Sequence, residues 1–203
     1  MPRKLSDDRL VELVSRDADG NLTPVGNVVT LGGSAGSGGS TGSGEGHIGE
    51  VSNNLYFASF TLSLDTSAYA SGDVLADTQV LTDAMRVTDG TGALLSLILN
   101  DKDDQGAPLD LLILNANVAL GTENAAPSIS DTNADNILGI VSVVAGDWVD
   151  LGGCRVATIP ASRCGFALKA VSATKNLYIA AITRGTPTHT ASGVTGKLAI
   201  ERN

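Results

Sequence analysis

The chain of 203 residues carries a formal net charge of -9 and is 42% hydrophobic but only 3% aromatic. This acidic balance argues against direct binding to nucleic acid or to an anionic membrane surface, because both require an excess of lysine and arginine. No segment is long and apolar enough to span a bilayer, and Asp7, Asp8 and Glu12 interrupt the segment after the basic N-terminus, so no signal peptide is predicted.

Residues 1–31 are predicted to form an arm with some structure of its own. Residues 10–16 fit either a strand or a short helix capped by Ser6, and the sequence DADGN at residues 17–21 is a strong turn signal. Residues 22–25 favour an extended conformation, because the residue before a proline avoids the helical region. A small hairpin is therefore favoured, with the helix as the alternative. The arm residues expected to contact a partner are Leu10, Leu13, Val25, Val28, Val29 and Leu31.

Residues 32–54 are predicted to form an extended strap. Residues 32–46 read GGSAGSGGSTGSGEG, in which twelve of fifteen residues are Gly or Ser. Such a segment cannot bury apolar surface and is a random coil in isolation, so we expect it to lie along a partner, with Gly36 and Gly39 among the contacts. A phosphate-binding loop would need a preceding strand, a following helix and usually a lysine. The strap is not expected to have these, and no cofactor is predicted.

From residue 55 onwards, short segments alternate apolar and small polar residues and are separated by turn signals, which is typical of half-buried strands. One short helix is predicted to begin at Ser130 or Asp131 and to run to about Leu138. This pattern predicts an all-β fold, a jelly-roll-like β-sandwich over residues 55–203 with an extended N-terminal arm. The predicted strands cover residues 56–64, 72–76, 83–89, 93–101, 109–118, 140–144, 147–151, 154–159, 164–173, 176–184 and 193–201.

Two of these segments, residues 94–99 and 109–114, are nearly continuous apolar runs. Runs of this kind indicate central strands that are covered on both faces, either by a second sheet or by a neighbouring subunit. The side chains expected at an oligomer interface are Leu95, Leu97, Leu112 and Leu114.

The strongest candidate for metal binding is the acidic loop that contains Asp101, Asp103 and Asp104. Clustered carboxylates suit a hard cation such as Ca²⁺, but a solvated acidic loop without metal is the favoured interpretation. Neither His47 nor His189 lies in a nucleophile motif. No catalytic residue is predicted, and the chain is not expected to be an enzyme.

Three further residues leave alternatives open. Cys154 and Cys164 are interpreted as two unpaired thiols, with a disulfide across a hairpin as the alternative. Trp148 suits an interface anchor and a core position equally well.

Several phrases in the domain resemble virion structural proteins of tailed bacteriophages, and the resemblance extends over about residues 56–201. It is carried by LDTSAYASGDVLADT at residues 64–78, NDKDDQGAPLDL at 100–111, LGTENAAPSI at 120–129 and YIAAITRGTPT at 178–188. Within that class the chain looks like a capsid decoration (cement) protein, a class that pairs a compact β domain with an extended arm and often forms trimers on the shell. The resemblance carries no catalytic motif.

The resemblance implies a structural protein that stabilises a phage capsid. Its arm is expected to clamp neighbouring subunits of the major capsid protein, and its β domain to form a homotrimer on the outer capsid surface after synthesis in the bacterial cytoplasm. The alternative is a head-fibre or tail-associated host-recognition protein that binds glycans.

Overall fold

The computed structural model describes residues 54–203 and four short segments nearer the N-terminus. The chain divides into two units, Met1–Glu50 and Val51–Asn203. The described strands of the first unit are β1 (Arg3–Lys4), β2 (Val11–Glu12), β3 (Val14–Arg16) and β4 (Leu22–Pro24).

The hairpin predicted for the arm is confirmed by strand pairing. β3 pairs antiparallel with β4, with Val14 opposite Pro24 and Arg16 opposite Leu22; residues 17–21, where the turn is predicted, lie outside the described residues. β1 pairs antiparallel with β2. Residues 32–53 of the strap and all eight arm and strap residues predicted to contact a partner lie outside the described residues, whereas Asn54 begins the first strand of the domain.

The second unit is built almost entirely from strands. Its helical elements are α1 (Asp131–Ala134), α2 (Ala161–Cys164) and a 3-10 turn at Ala145–Asp147. Its strands are β5 (Asn54–Thr61), β6 (Val74–Leu81), β7 (Thr91–Asp101), β8 (Leu109–Leu114), β9 (Ile137–Val143), β10 (Trp148–Asp150), β11 (Arg155–Pro160), β12 (Ala167–Lys169), β13 (Leu177–Thr183) and β14 (Val194–Arg202).

The strand order confirms a jelly roll. One sheet has the order β10-β11-β7-β14-β5, with β12 beside β7, and the other has the order β6-β13-β8-β9. All these pairs are antiparallel. Without the short β10 and β12, the domain has eight strands, which in chain order are β5, β6, β7, β8, β9, β11, β13 and β14. In this order the first strand pairs with the eighth, the second with the seventh, the third with the sixth and the fourth with the fifth. This nested pairing is the jelly-roll arrangement that viral capsid domains share with lectins and cupins.

The main core fills the space between the two sheets. Leu97 and Leu99 of β7 belong to this core together with Leu111 and Ile113 of β8, and each is 0% exposed. A register shift between β7 and β14 at residues 94–96 lets Leu94 join the same core although it lies an odd number of positions from Leu97.

The outer face of the β6-β13-β8-β9 sheet carries a second, smaller core. Leu112 and Leu114 of β8 pack there with Leu120, which belongs to the connection at residues 115–136. Asp77 and Thr78 of β6 fix this connection, because Asp77 Oδ1 accepts from Leu120 N at 2.8 Å and Thr78 Oγ1 donates to the Val118 carbonyl at 2.6 Å. A connection of the same chain thus covers the outer face of β8. From the sequence, either a second sheet or a neighbouring subunit is expected to cover it.

Two local predictions had different outcomes. The helix start is confirmed, because Ser130 Oγ accepts from Asn133 N at 3.2 Å, although the helix ends at Ala134. The strand predicted at residues 83–89 is wrong. Asp83 and Asp89 adopt φ angles of 52° and 53°, so the segment turns at both ends.

Candidate functional site

Three of the four leucines predicted at an oligomer interface lie inside the domain. Leu97 and Leu114 are 0% exposed and Leu112 is 4% exposed, whereas Leu95 is half-buried. Side chains that are buried within one domain cannot also contact a neighbouring subunit. The interface prediction is therefore corrected for these three, because their strands use the apolar side chains in the two intramolecular cores.

The acidic loop lies at one end of the sandwich, beside a second connection. Residues 102–108 join β7 to β8, and residues 184–193 join β13 to β14. Strand pairing places Val194 opposite Asp101 and Thr183 opposite Leu109. Lys102 N also donates to the Gly193 carbonyl at 2.8 Å. The two connections therefore run side by side, although they are far apart in the sequence.

Asp101 organises the first connection from inside. Its side chain is 1% exposed, and it accepts from Asp103 N at 3.0 Å through Oδ1 and from Gly106 N at 2.7 Å through Oδ2. Gly106 has a φ of +59°, a conformation that glycine adopts without strain. The Asp101 carboxylate therefore fixes the backbone of this connection at two positions.

Asp103 bridges to the second connection. Its carboxylate accepts from Thr190 N at 2.8 Å and from Thr190 Oγ1 at 3.0 Å. Gly193 leaves room for it, because a Cβ at that position would collide with the Asp103 carboxylate. Burial alone would raise the pKa of Asp103, but the hydrogen bonds from Thr190 and the proximity of His189 outweigh it and lower the pKa below 3.8.

His189 completes the cluster. The residue is 4% exposed, and its Nδ1 lies 3.4 Å from Asp103 Oδ2 and 3.8 Å from Asp101 Oδ1. Nδ1 is buried and makes no hydrogen bond within the described part of the chain. Asp101, Asp103 and His189 therefore bring one ligand atom each to within 4.8 Å of one another. The sequence does not identify His189 as a member, because no local spacing links it to the loop.

Asp104, the third predicted ligand, takes no part in this cluster. Its Oδ1 accepts from Arg155 Nε at 2.8 Å, and Arg155 also lies 3.5 Å from Asp150. The hydrogen bond to Asp104 raises the pKa of Arg155. The Asp104 carboxylate therefore belongs to an ion-pair network with Arg155, and its inclusion among the ligands is corrected.

The alternatives left open for Trp148 and for the two cysteines are decided by burial and by the absence of a disulfide. Trp148 is 8% exposed, joins the main core and donates from Nε1 to the Ala107 carbonyl at 3.1 Å, so the core alternative holds. Both cysteines are free thiols, and burial raises the pKa of Cys164.

Exposed apolar side chains lie along two opposite edges of the sandwich. The first edge, formed by β5 and β6, exposes Leu55, Phe57 and Val80. The second edge, formed by β9, β10 and the residues that flank them, exposes Ile140, Val144, Val149 and Leu151. Each of these side chains is at least 50% exposed.

A shallow cavity of about 440 Å³ lies on the β5-β14-β7-β11 sheet. Hydroxyl, amide and amino groups line it together with Ile98 and Val156; the polar groups include those of Ser59, Thr61, Asn100 and Lys197. Asn100 Oδ1 is buried and has no hydrogen-bond partner among the described residues.

Among the described residues, no helix has the length and apolar character needed to cross a membrane. No family model matches the chain, and no curated protein matches it. A solved structure described as Desmodium yellow mottle tymovirus is 11% identical in sequence, with 84% of this chain and 91% of that chain covered and a TM-score of 0.26. This likeness is too slight to carry a conclusion about fold or function.

Proposed function

We propose that the chain is a structural protein of a tailed-phage virion, bound to the outside of the capsid as a decoration (cement) protein, and that it has no enzymatic activity. The observation that carries the proposal is the complete jelly roll of residues 54–203, in a chain whose sequence resembles virion proteins. Because one fold serves many functions, the arm and the domain surface supply the remaining arguments.

The arm is the proposed capsid-binding element. A Gly/Ser strap passes close to another backbone without side-chain clashes, and strand addition to the major capsid protein would supply backbone hydrogen bonds along its length. Several arms on one oligomer raise the effective concentration of each, so weak contacts give strong avidity. Clamping neighbouring subunits in this way strengthens the shell against the internal pressure of the packaged DNA.

The domain is proposed to form a homotrimer through its two apolar edges. A cyclic trimer uses head-to-tail contacts, in which one surface of each copy meets a different surface of the next. The first edge with Phe57 and the second edge with Val149 are such a pair, and a closed ring covers both. These edges replace the buried leucines as the proposed interface.

The variant Val149→Asp tests the trimer. It places a charge in the proposed contact, so light scattering after size-exclusion chromatography is expected to show monomers. Val87→Asp is the matched control, because Val87 is also an exposed valine, at 51%, but lies in the turn before β7. Equal masses for both variants and the wild type would remove the edges from the proposal.

Copy number per virion tests the decoration role. Quantitative mass spectrometry against the major capsid protein is expected to give a ratio near one to one. Deletion of residues 1–50 leaves all strands of the second unit intact, and the truncated protein is expected to fold but not to bind capsids. Capsid binding equal to that of the full chain would exclude the arm as the clamp.

The cavity beside Asn100 favours one second candidate, a fibre or tail protein that recognises host glycans. Its hydroxyl, amide and amino groups are the kinds of group that orient a sugar, and lectin domains also use the jelly roll. This function predicts a handful of copies per virion and binding on a glycan array, whereas decoration predicts many copies and no glycan binding.

A further inference from the structure

We propose that Asp101, Asp103 and His189 bind one divalent transition-metal ion, best matched by Zn²⁺, which joins the connection at residues 102–108 to the connection at residues 184–193. This metal site is independent of the virion role.

The His189 side chain has a buried nitrogen without a hydrogen bond among the described residues. A buried polar atom without a hydrogen bond is costly and is rare in folded proteins. His189 Nδ1 is such an atom within the described residues, and it lies 3.4 Å and 3.8 Å from the oxygens of two carboxylates. A metal ion between these three groups would use the Nδ1 lone pair that now has no partner.

The distances between the three side chains are close to those of a zinc site. Zn²⁺ binds histidine nitrogen and carboxylate oxygen at about 2.0–2.2 Å in a tetrahedral arrangement, which places neighbouring ligand atoms about 3.4 Å apart. The two measured separations from Nδ1 are 3.4 Å and 3.8 Å. All three ligand atoms lie within 4.8 Å of one another, so side-chain movements of about 1 Å would bring them to tetrahedral Zn²⁺ spacing.

The charge of the two carboxylates also favours a cation. Arg155 is paired with Asp104 and Asp150 and interacts with the charge of Asp101 only over a longer distance. Among the described residues, His189 Nδ1 is the side-chain nitrogen within 4 Å of Asp101 and Asp103 that could carry a charge. A carboxylate as buried as Asp101 requires compensation by hydrogen bonds and a nearby cation. A divalent ion supplies that charge for both carboxylates.

The surrounding hydrogen bonds orient the carboxylates as a metal site requires. Asp101 is held by Asp103 N and Gly106 N, and Asp103 is held by Thr190. Each carboxylate oxygen has a second lone pair for a metal, and hydrogen bonds of this kind typically position metal ligands. The imidazole nitrogen favours Zn²⁺ over Ca²⁺, which prefers a set of six to eight oxygen ligands.

The test is calorimetric titration of the full-length protein with ZnCl₂ after treatment with EDTA. We expect one Zn²⁺ per chain and a rise in Tm of roughly 5–10 °C at a free Zn²⁺ concentration one hundred times the Kd. Titration with CaCl₂ is expected to give much weaker binding. The absence of stoichiometric Zn²⁺ binding, or tighter binding of Ca²⁺, would overturn the assignment.

Asp103→Asn and His189→Asn are expected to weaken Zn²⁺ binding at least tenfold. Asp104→Asn is the matched control, because it changes the same loop outside the cluster, and Cys154→Ser controls for binding by a thiol. Circular dichroism in EDTA establishes that each variant is folded. Unchanged affinity in the two folded ligand variants would refute the site.

Cobalt substitution in the wild-type protein gives a readout that needs no variant. A tetrahedral site of nitrogen and oxygen ligands is expected to show cobalt d–d bands without thiolate charge transfer. A strong thiolate band would place the metal on a cysteine and overturn the proposal.

Discussion

Strand β8 buries leucine on both of its faces, but different parts of the chain cover the two faces. On the inner face, Leu111 and Ile113 pack against the opposite sheet in the main core. On the outer face, Leu112 and Leu114 pack beneath the connection at residues 115–136. A continuous apolar run therefore indicates that both faces of a strand are buried. A loop of the same chain can bury the outer face, so no neighbouring subunit is needed.

The largest effect is expected for the inner face. Leu111→Ala removes a side chain that is 0% exposed between two sheets. Because the sheets cannot collapse freely into the space, we expect the free energy of unfolding to fall by about 3–5 kcal/mol. Urea denaturation followed by circular dichroism measures the change. A loss below about 1 kcal/mol would mean that the sheets do not pack as described.

A smaller effect is expected beneath the connection. Leu120→Ala removes a side chain that is 1% exposed in the outer core. A loop can relax into the space more readily than a sheet, so we expect a loss of about 2–3 kcal/mol. Hydrogen exchange is expected to increase at residues 115–130 and to remain slow in β7 and β14. An equal increase in all three regions would show that the two cores unfold together.

The sequence predicted the fold class because its signals are local. Alternation and turn residues marked the strands, and the run at residues 109–114 correctly indicated a strand covered on both faces. The cover itself was missed because Val118, Leu120 and Ile129 are scattered through a polar connection without strand or helix periodicity. The strand predicted at residues 83–89 was wrong for another reason. Met85 and Val87 alternate with the polar Arg86 and Thr88 as in a strand, but the positive φ angles of Asp83 and Asp89 turn the chain.

The candidate site was predictable only in part. Asp101 and Asp103 lie in one acidic loop and were recognised as potential ligands. His189 comes from a distant segment, and the pairing of β7 with β14 brings it to the same end. The local spacing of residues does not show that His189 lies near Asp101 and Asp103, although the strand order of a jelly roll implies it. Asp104 was included because of its neighbours, but its carboxylate pairs with Arg155 instead.

A single hydrogen bond tests how the connection is attached. Thr78→Val keeps the shape of the side chain but removes the hydroxyl that donates to the Val118 carbonyl at 2.6 Å. We expect a loss of about 1 kcal/mol, close to the net contribution of one such bond. Limited proteolysis between residues 115 and 130 is expected to become faster. Thr158→Val, at an exposed threonine on β11, is the control and is expected to leave both measurements unchanged.

A change to acid pH tests the polar end of the sandwich separately from the two leucine faces, since the buried residues of the two apolar cores include no carboxylate. The lowered pKa of Asp103 means that its contribution is complete above the unfolded value of about 3.8 and is lost as the pH falls through the folded value. With EDTA present to exclude metal, the stability difference between wild type and Asp103→Asn is expected to shrink below pH 4. Leu111→Ala should differ from wild type by the same amount throughout. If that difference also shrank in acid, the main core would itself depend on the carboxylates, and the contrast between the apolar faces and the polar end would fail.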